Sequence, residues 1–261
     1  MANPMTFAER WRAFPHAGAA IGPRTVGWME ATAREHPEHA YVGDDAILVA
    51  LPVHAGLVDI YMASQDEATL VQALDREMPR LLAVIGPRPA IVVKGPEGRL
   101  LEPYGFERVD DLLYYLMDPI QTGADHPLIR PATSADLPAL VVLDHASFPR
   151  PYQRGLNEMT VHVEGTSLVK VAEEDGRLFG FSILQPLGDR YHLGAVGVHP
   201  DRQGQGWGRI LFLEAVHAAC LAGATSLGLT TQVSNMASRR IYESAGMTSE
   251  LLGPVWARNA R

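Results

Sequence analysis

Three glycines at alternate positions stand in the segment Val198-His199-Pro200-Asp201-Arg202-Gln203-Gly204-Gln205-Gly206-Trp207-Gly208-Arg209. Glycine reaches backbone conformations closed to other residues, so such a run turns sharply and aims several N–H groups in one direction. A nest of this kind holds phosphate oxygens. Apolar periodicity predicts a helix over 208–221. The unpaired N–H groups and positive dipole end at its start reinforce anion binding, which makes a pyrophosphate the natural ligand. The run has no lysine of the G-x-x-x-x-G-K-[ST] kind, nor the G-x-G-x-x-G spacing with an acidic residue about 20 positions on. Taken alone, the glycine loop leaves a purely structural turn open.

A second segment, Asn235-Met236-Ala237-Ser238-Arg239-Arg240-Ile241-Tyr242-Glu243-Ser244-Ala245-Gly246-Met247, follows one helix and one strand later. Spacings of three and four residues place Asn235, Ser238 and Tyr242 on one helix face. The first segment resembles the V-x-P-x-x-[QR]-G-x-G-x-G motif of the GNAT superfamily of N-acetyltransferases, matching at Val198, Pro200, Gln203, Gly204, Gly206 and Gly208, with Gln203 where the family usually has Arg. The second resembles that family's N-x-x-[AS]-x-x-x-Y-x-x-x-G-[FM] motif, and the stretch from Ile129 to Leu137 resembles the opening of many such domains. The likeness covers residues 127–261.

The resemblance implies acetyl-CoA as co-substrate and no metal. Its pyrophosphate would lie on Gln203, Gly204, Gln205, Gly206, Trp207, Gly208 and Arg209, and its pantetheine arm beside Asn235 and Ser238. Acyl transfer to an amine needs a base for the amine proton, donors for the developing oxyanion and an acid for the departing thiolate. Tyr242 is the expected acid, since a phenol of pKa near ~10 donates at pH 7. The family's oxyanion donors are backbone N–H groups, here those of Val196, Gly197 and Val198, and Gly197 is expected to host the bulge that exposes them. His192 is the expected base, with an ordinary pKa near ~6.5; Glu164, Asp144 and His145 compete for that role. Arg202, Arg209, Arg239 and Arg240 are candidates to neutralise phosphates or to sit solvated. Trp207 is expected to pack, and Cys220 to be a small core residue.

These groups need a scaffold. The spacing predicts strands over 128–132, 167–173, 178–184, 192–198 and 227–231, with helices from a cap at Thr133 or Ser134 to about 145, over 208–221, and over 234–245. Glu174-Asp175-Gly176-Arg177 reads as a hairpin turn, and Gly223 and Gly246 as helix stops. In the first half, strands are expected over 46–51, 57–62, 90–94 and 112–117 around a helix over 66–83. That order imitates the second half, and Tyr104-Gly105-Phe106 resembles the close of a GNAT domain, yet no glycine run precedes the helix. The expected fold class is α/β, with two GNAT-like mixed-sheet domains in tandem: a degenerate one over 1–120 and a complete acetyl-CoA-binding one over 127–261. An unrelated α/β extension is the alternative for the first half. The Pro- and Gly-containing stretch 118–127 divides them.

Composition limits the partners. The chain of 261 residues is 47% hydrophobic and 20% charged, which supports a core and excludes intrinsic disorder. Its net charge of −8 gives no general attraction for nucleic acid or anionic membranes. The apolar stretch 46–60, broken by Pro52, His54 and Asp59, falls short of the ~20 residues of a spanning helix. Glu9, Arg10 and Arg12 interrupt any signal-peptide pattern, and a single cysteine suits a reducing compartment, so a cytoplasmic location is expected. The expected function is acetyl-CoA-dependent N-acetylation of a primary amine, on a small molecule or peptide, by direct attack in a ternary complex. The alternatives are a non-catalytic acyl-CoA-binding or interaction module and a small-molecule nucleotide-binding protein.

Overall fold

The computed structural model describes residues 6–14, 23–54, 57–93, 96–149 and 152–259. Lys94, the expected end of a strand, lies outside them. Two compact units form, one of residues 1–112 with 252–261, the other of residues 113–251. The expected boundaries, 1–120 and 127–261, divide the chain differently. Tyr115 and Met117 are buried in the core of the second unit, whereas Trp256 is buried in that of the first.

In the second unit, Asp175 and Gly176 take φ of 51° and 74°, the left-handed pair that a two-residue hairpin requires. They join β7 (Leu168–Glu174) to β8 (Arg177–Leu187), and β9 (Arg190–Val198) returns antiparallel to β8. On one side, β6 (Ile129–Pro131) adds antiparallel to β7; on the other, β10 (Ser226–Gln232) pairs parallel with β9. Beyond β10 lies β5 (Glu107–Met117), through its residues 113–117. Thr133 and Asp136 form a reciprocal capping box ahead of α4 (Leu137–Ser147), and Arg130 ties Asp136 to Glu173. The Arg130 guanidinium holds the Asp136 carboxyl well below the usual carboxylate range.

Helix α4 and α5 (Leu156–Glu164) cover one sheet face, where Leu140, Leu143 and Met159 meet Val171, Phe181, Ile183 and Ala195. The other face carries α6 (Trp207–Leu221) and α7 (Met236–Ser244), with Phe212, Ala215, Val216 and Tyr242 against Tyr115, Leu184, Leu193 and Leu227. Burying Phe181 and Phe212 contributes roughly 2–3 kcal/mol each. Inward positions of α6 recur as Leu211, Phe212, Ala215, Val216 and Ala219, the apolar stripe of a 3.6-residue period. Cys220 falls off that stripe and is exposed, contrary to its expected core position.

The first unit begins with α1 (Phe7–Ala13) and α2 (Pro23–Glu35). Strands β1 (Ala40–Val42), β2 (Ala46–His54) and β3 (Leu57–Ser64) form an antiparallel meander, followed by α3 (Glu67–Ile85) and β4 (Ala90–Val93), parallel to β3. Strand β11 (Thr248–Arg258) closes it, Val255 pairing with Val93 and Arg258 with Ala90. Meander, helix and parallel strand repeat the order β7, β8, β9, α6, β10. One connection differs. Between β3 and α3 stand only Gln65 and Asp66, and Asp66 caps the helix by accepting from the Thr69 N–H at 2.8 Å, with Glu67 in the first turn. Two carboxylates at that helix start repel an anion rather than cradle one. Among the described residues, no helix is long and apolar enough to cross a membrane.

Candidate functional site

Strands β9 and β10 pair from Arg190 with Ser226 to Leu193 with Leu229, and no further. Both run on, β9 to Val198 and β10 to Gln232, so the sheet parts at this point. A bulge sits at the parting: Ile183 faces Ala195 and Leu184 faces Leu193, which leaves Gly194 without a partner in β8. The bulge was expected at Gly197, and the structure corrects this. Gly197 pairs regularly with Phe181, and a Cβ there would come within 2.3 Å of the Phe181 ring, so its glycine makes room for that ring.

Beyond the bulge, the His199 N–H donates to Phe179 O at 2.8 Å. Alternation in an antiparallel ladder then turns the Ala195 and Gly197 N–H groups toward β8 and those of Val196 and Val198 toward the opened side. Of the three expected oxyanion donors, Val196 and Val198 face the opening and Gly197 does not.

The glycine loop follows directly. Gln203 Nε2 donates to Val198 O at 3.0 Å and Gln205 Nε2 to Asp201 O at 2.9 Å, so both side chains brace the loop instead of projecting from it. Gly204 and Gly206 take φ of 73° and 86°. Their role is conformational, since an added Cβ would meet nothing within 4 Å at either. Gly208 serves packing: a Cβ there would lie 3.3 Å from Ile241 Cδ1 of α7. Among the described residues, the N–H groups of Gly204, Gln205 and Gly206 have no backbone acceptor. Those of Trp207 and Gly208, the first of α6, have none within the helix. The Trp207 ring packs edge-on to Phe179, 4.5 Å between centroids, which leaves its N–H as the group it offers. Five N–H groups without a backbone acceptor, at the positive end of a fifteen-residue helix, have the chemistry to hold a pyrophosphate.

The arginines divide. Arg202 is paired with Glu174 and lies over the Phe179 ring, and Arg239 is spent on Val233 O at 2.9 Å and on Glu243. Arg209 Nη1 lies 3.5 Å from Ser244 Oγ, and among the described residues neither Arg209 nor Arg240 has an acidic partner. Asn235 caps α7, its Oδ1 accepting from the Ser238 N–H at 3.3 Å while Nδ2 donates to Thr231 Oγ1 at 3.2 Å. Four residues beyond Ser238, Tyr242 is buried between Phe212 and Tyr115, at ring distances of 5.2 and 5.4 Å. Burial pushes its phenol above the ordinary value, against a hydrogen bond from Ser238, and Tyr115 adds to the rise. Tyr115, which the sequence did not single out, donates to Glu243 Oε1 at 2.8 Å.

His192 stands in the still-paired part of β9, opposite Gln185 and Gly228. It alternates with Tyr191 and Leu193 of the α6 face, so it looks toward α4 and α5. Burial pushes its imidazole below the ordinary value, and it is neutral at pH 7. Of the competitors, Asp144 is fully buried and locked to Arg154 at 2.9 Å, which removes it as a base. His145 Nε2 lies 3.0 Å from Arg154 O, and Glu164, at the end of α5, accepts from Ser134 Oγ at 2.9 Å.

Residues 136–247 match the family described as acetyltransferase (GNAT) family. Mycothiol acetyltransferase of Thermomonospora curvata is 40% identical over 82 residues, 30% of this chain and 27% of that protein. The [ribosomal protein bS18]-alanine N-acetyltransferase of Escherichia coli K12 is 34% identical over 73 residues, 28% of this chain and 49% of that one. The chain thus spans about a quarter and about half of these two relatives. Among solved structures, a GCN5-related N-acetyltransferase from Sphaerobacter thermophilus superposes with a TM-score of 0.62 at 17% identity, over 89% of this chain and 86% of that one. A tandem GNAT protein from the clavulanic acid biosynthesis pathway gives 0.58 at 13%, over 94% and 90%. The fold is therefore that of a tandem GNAT protein, and residues 136–247 are a domain of the GNAT acetyltransferase family.

Proposed function

We propose that the chain is an acetyl-CoA-dependent N-acetyltransferase that acetylates a primary amine by direct attack within a ternary complex. The observation that carries this reading is the parting of β9 from β10 immediately ahead of a loop rich in unpaired N–H groups. Acetyl-CoA supplies an activated thioester carbonyl. The N–H groups of Gly204 to Gly208 hold its pyrophosphate, with Arg209 and Arg240, which have no acidic partner among the described residues, as cations for its phosphates. The open edge of β9 offers the pantetheine amides the hydrogen bonds that a neighbouring strand would make. Asn235, committed to its cap, and Ser238 line the α7 side. An N–H donor from Val196 or Val198 stabilises negative charge developing on the thioester oxygen. His192, neutral through burial, takes the proton of the amine, directly or through water. Tyr242, kept protonated by its raised pKa, donates to the departing sulfur.

Residues 127–261 are the catalytic domain in this reading. The 1–120 half has lost the donor site, because Asp66 and Glu67 stand where its phosphates would lie. The names of the two relatives support a small-molecule or peptide acceptor without choosing between them. Thiol release from acetyl-CoA across a panel of amines, with calorimetric titration of CoA and Tyr242→Phe as control, tests the reading. The absence of both thiol release and CoA binding would refute it.

A further inference from the structure

We propose that Arg154, in the connection between α4 and α5, is a positioning residue that sets the bulge of β9 and thereby decides which β9 amides face the donor cleft. Gly194 is the bulged residue, without a partner in β8 and one residue past the last β10 pair. A carbonyl at such a place needs an acceptor's partner from elsewhere. Arg154 supplies it: Nη2 donates to Gly194 O at 3.1 Å, while Nη1 donates to Asp144 Oδ2 at 2.9 Å. The fork is fixed at its root. Asp144 has no exposed surface, and its Oδ1 accepts the backbone N–H of Arg154 at 2.7 Å. The guanidinium also lies 5.4 Å from the Phe148 ring centroid, and its Nε is 3.8 Å from Glu158. A planar group held by its own backbone, a buried carboxylate and an aromatic face has one orientation, and that orientation points at the bulge.

The consequence follows from the two-residue period of a strand. With the bulge, Leu193 and Val196 both pack on the α6 face, and the N–H groups of Val196 and Val198 turn to the opened side. Without the extra residue, Val196 and Val198 would turn toward β8, and Ala195 and Gly197 would present their N–H groups instead. Two large side chains would then cross to the face that Phe181 fills. Arg154 touches no donor atom in this scheme; it acts through Gly194. The effect on rate rests on the acetyltransferase reading, whereas the effect on the strand does not.

Arg154→Lys is the informative variant. A lysine keeps a charge for Asp144, but one ammonium lacks the planar fork that reaches Asp144 and Gly194 together. Amide hydrogen exchange is measured across the unit, together with kcat, the KM for acetyl-CoA and CoA affinity. The expected result is exchange of the Ala195 and Gly197 amides, which face β8, faster by about tenfold, the loss of one hydrogen bond, with residues 168–174 and 211–219 unchanged. With an amine acceptor, kcat should fall on the order of 100-fold while the KM for acetyl-CoA stays within about threefold, because misplaced donors cost rate more than binding. Unchanged exchange at Ala195 and Gly197, or exchange raised equally throughout the unit, would overturn the proposal. So would a kcat in the variant equal to that of a wild type that turns over. If the wild type neither binds CoA nor releases thiol, the acetyltransferase reading fails, and the exchange contrast still decides the role of Arg154.

Discussion

A methyl group added at Gly197 tests the packing that displaced the bulge from its expected place. The new Cβ would stand 2.3 Å from Phe181 Cε1 and 2.9 Å from Cδ1 and Cζ, against about 3.5–4.0 Å for carbon atoms in contact. Phe181 cannot swing into solvent, since it is fully buried and packs edge-on to Phe148 at 6.2 Å. The ring or the strand must therefore move by more than ~1 Å, and overpacking of this kind costs roughly 1–3 kcal/mol. For a chain of this size each kcal/mol lowers the melting temperature by about 2–4 °C. Phe181→Leu alone should cost roughly 1–2 kcal/mol through lost packing. The double variant should recover at least about 1 kcal/mol relative to the sum of the singles, because leucine vacates the space the methyl needs. Thermal denaturation of all four proteins measures the coupling. Costs that add within about 0.5 kcal/mol would refute the placement of the ring. Gly194→Ala supplies the contrast, since the nearest atoms to its Cβ would be those of the flexible Gln185 side chain, at 3.5 Å or more. A greater loss there than at Gly197 would also count against the assignment.

Three further outcomes are expected. Because folding lowers the His192 pKa, the stability gained by keeping it neutral is complete above its ordinary 6.5 and is lost as pH falls through the folded value. His192→Gln should therefore flatten the acid side of a melting-temperature profile and remove the acid limb of kcat/KM; an unchanged rate profile excludes it as the base. Tyr242→Phe keeps the rings on Phe212 and Tyr115 and should melt within a few degrees of the wild type, yet lower kcat by about 10–100-fold. An equal rate would remove Tyr242 as the acid. Calorimetry should find one CoA per chain, since only one of the two helices that follow a three-stranded meander begins with glycines, and a stoichiometry of two would contradict the reading of Asp66.

Local chemistry made much of the second unit legible. The hairpin at Asp175-Gly176, the cap at Thr133, the helix after Gly206 and the stop at Gly246 each follow from residues within a few positions of one another. Features that depend on partners far away in sequence were not readable. Both Gly194 and Gly197 suit a bulge, and only the register against β8 decides which residue is unpaired. Asn235 is expected beside the pantetheine arm from its motif, whereas its Oδ1 is engaged by the cap and its Nδ2 by Thr231. Gln203 likewise matches its motif position while its side chain braces the loop. Arg154 carried no motif, and its meaning appears only beside a buried Asp144 and a strand forty residues on. Helix α5 and the early elements α1, α2 and β1 were not foreseen. Strand β11 was not foreseen either, nor that its end completes the first unit.

That last strand has a kinetic consequence. Val255 to Arg258 pair with Val93 to Ala90, so the first unit gains its closing strand, and Trp256 for its core, only after the whole second unit has been translated. At about 5–20 residues per second this delay is on the order of ten seconds on the ribosome. During it, β4 presents an unpaired edge, the kind of surface that recruits foreign strands. The second unit holds its own core and glycine loop within one contiguous stretch and can mature first. Maturation would then run opposite to synthesis, and the half made earliest would be the one most dependent on chaperones while the chain is being made.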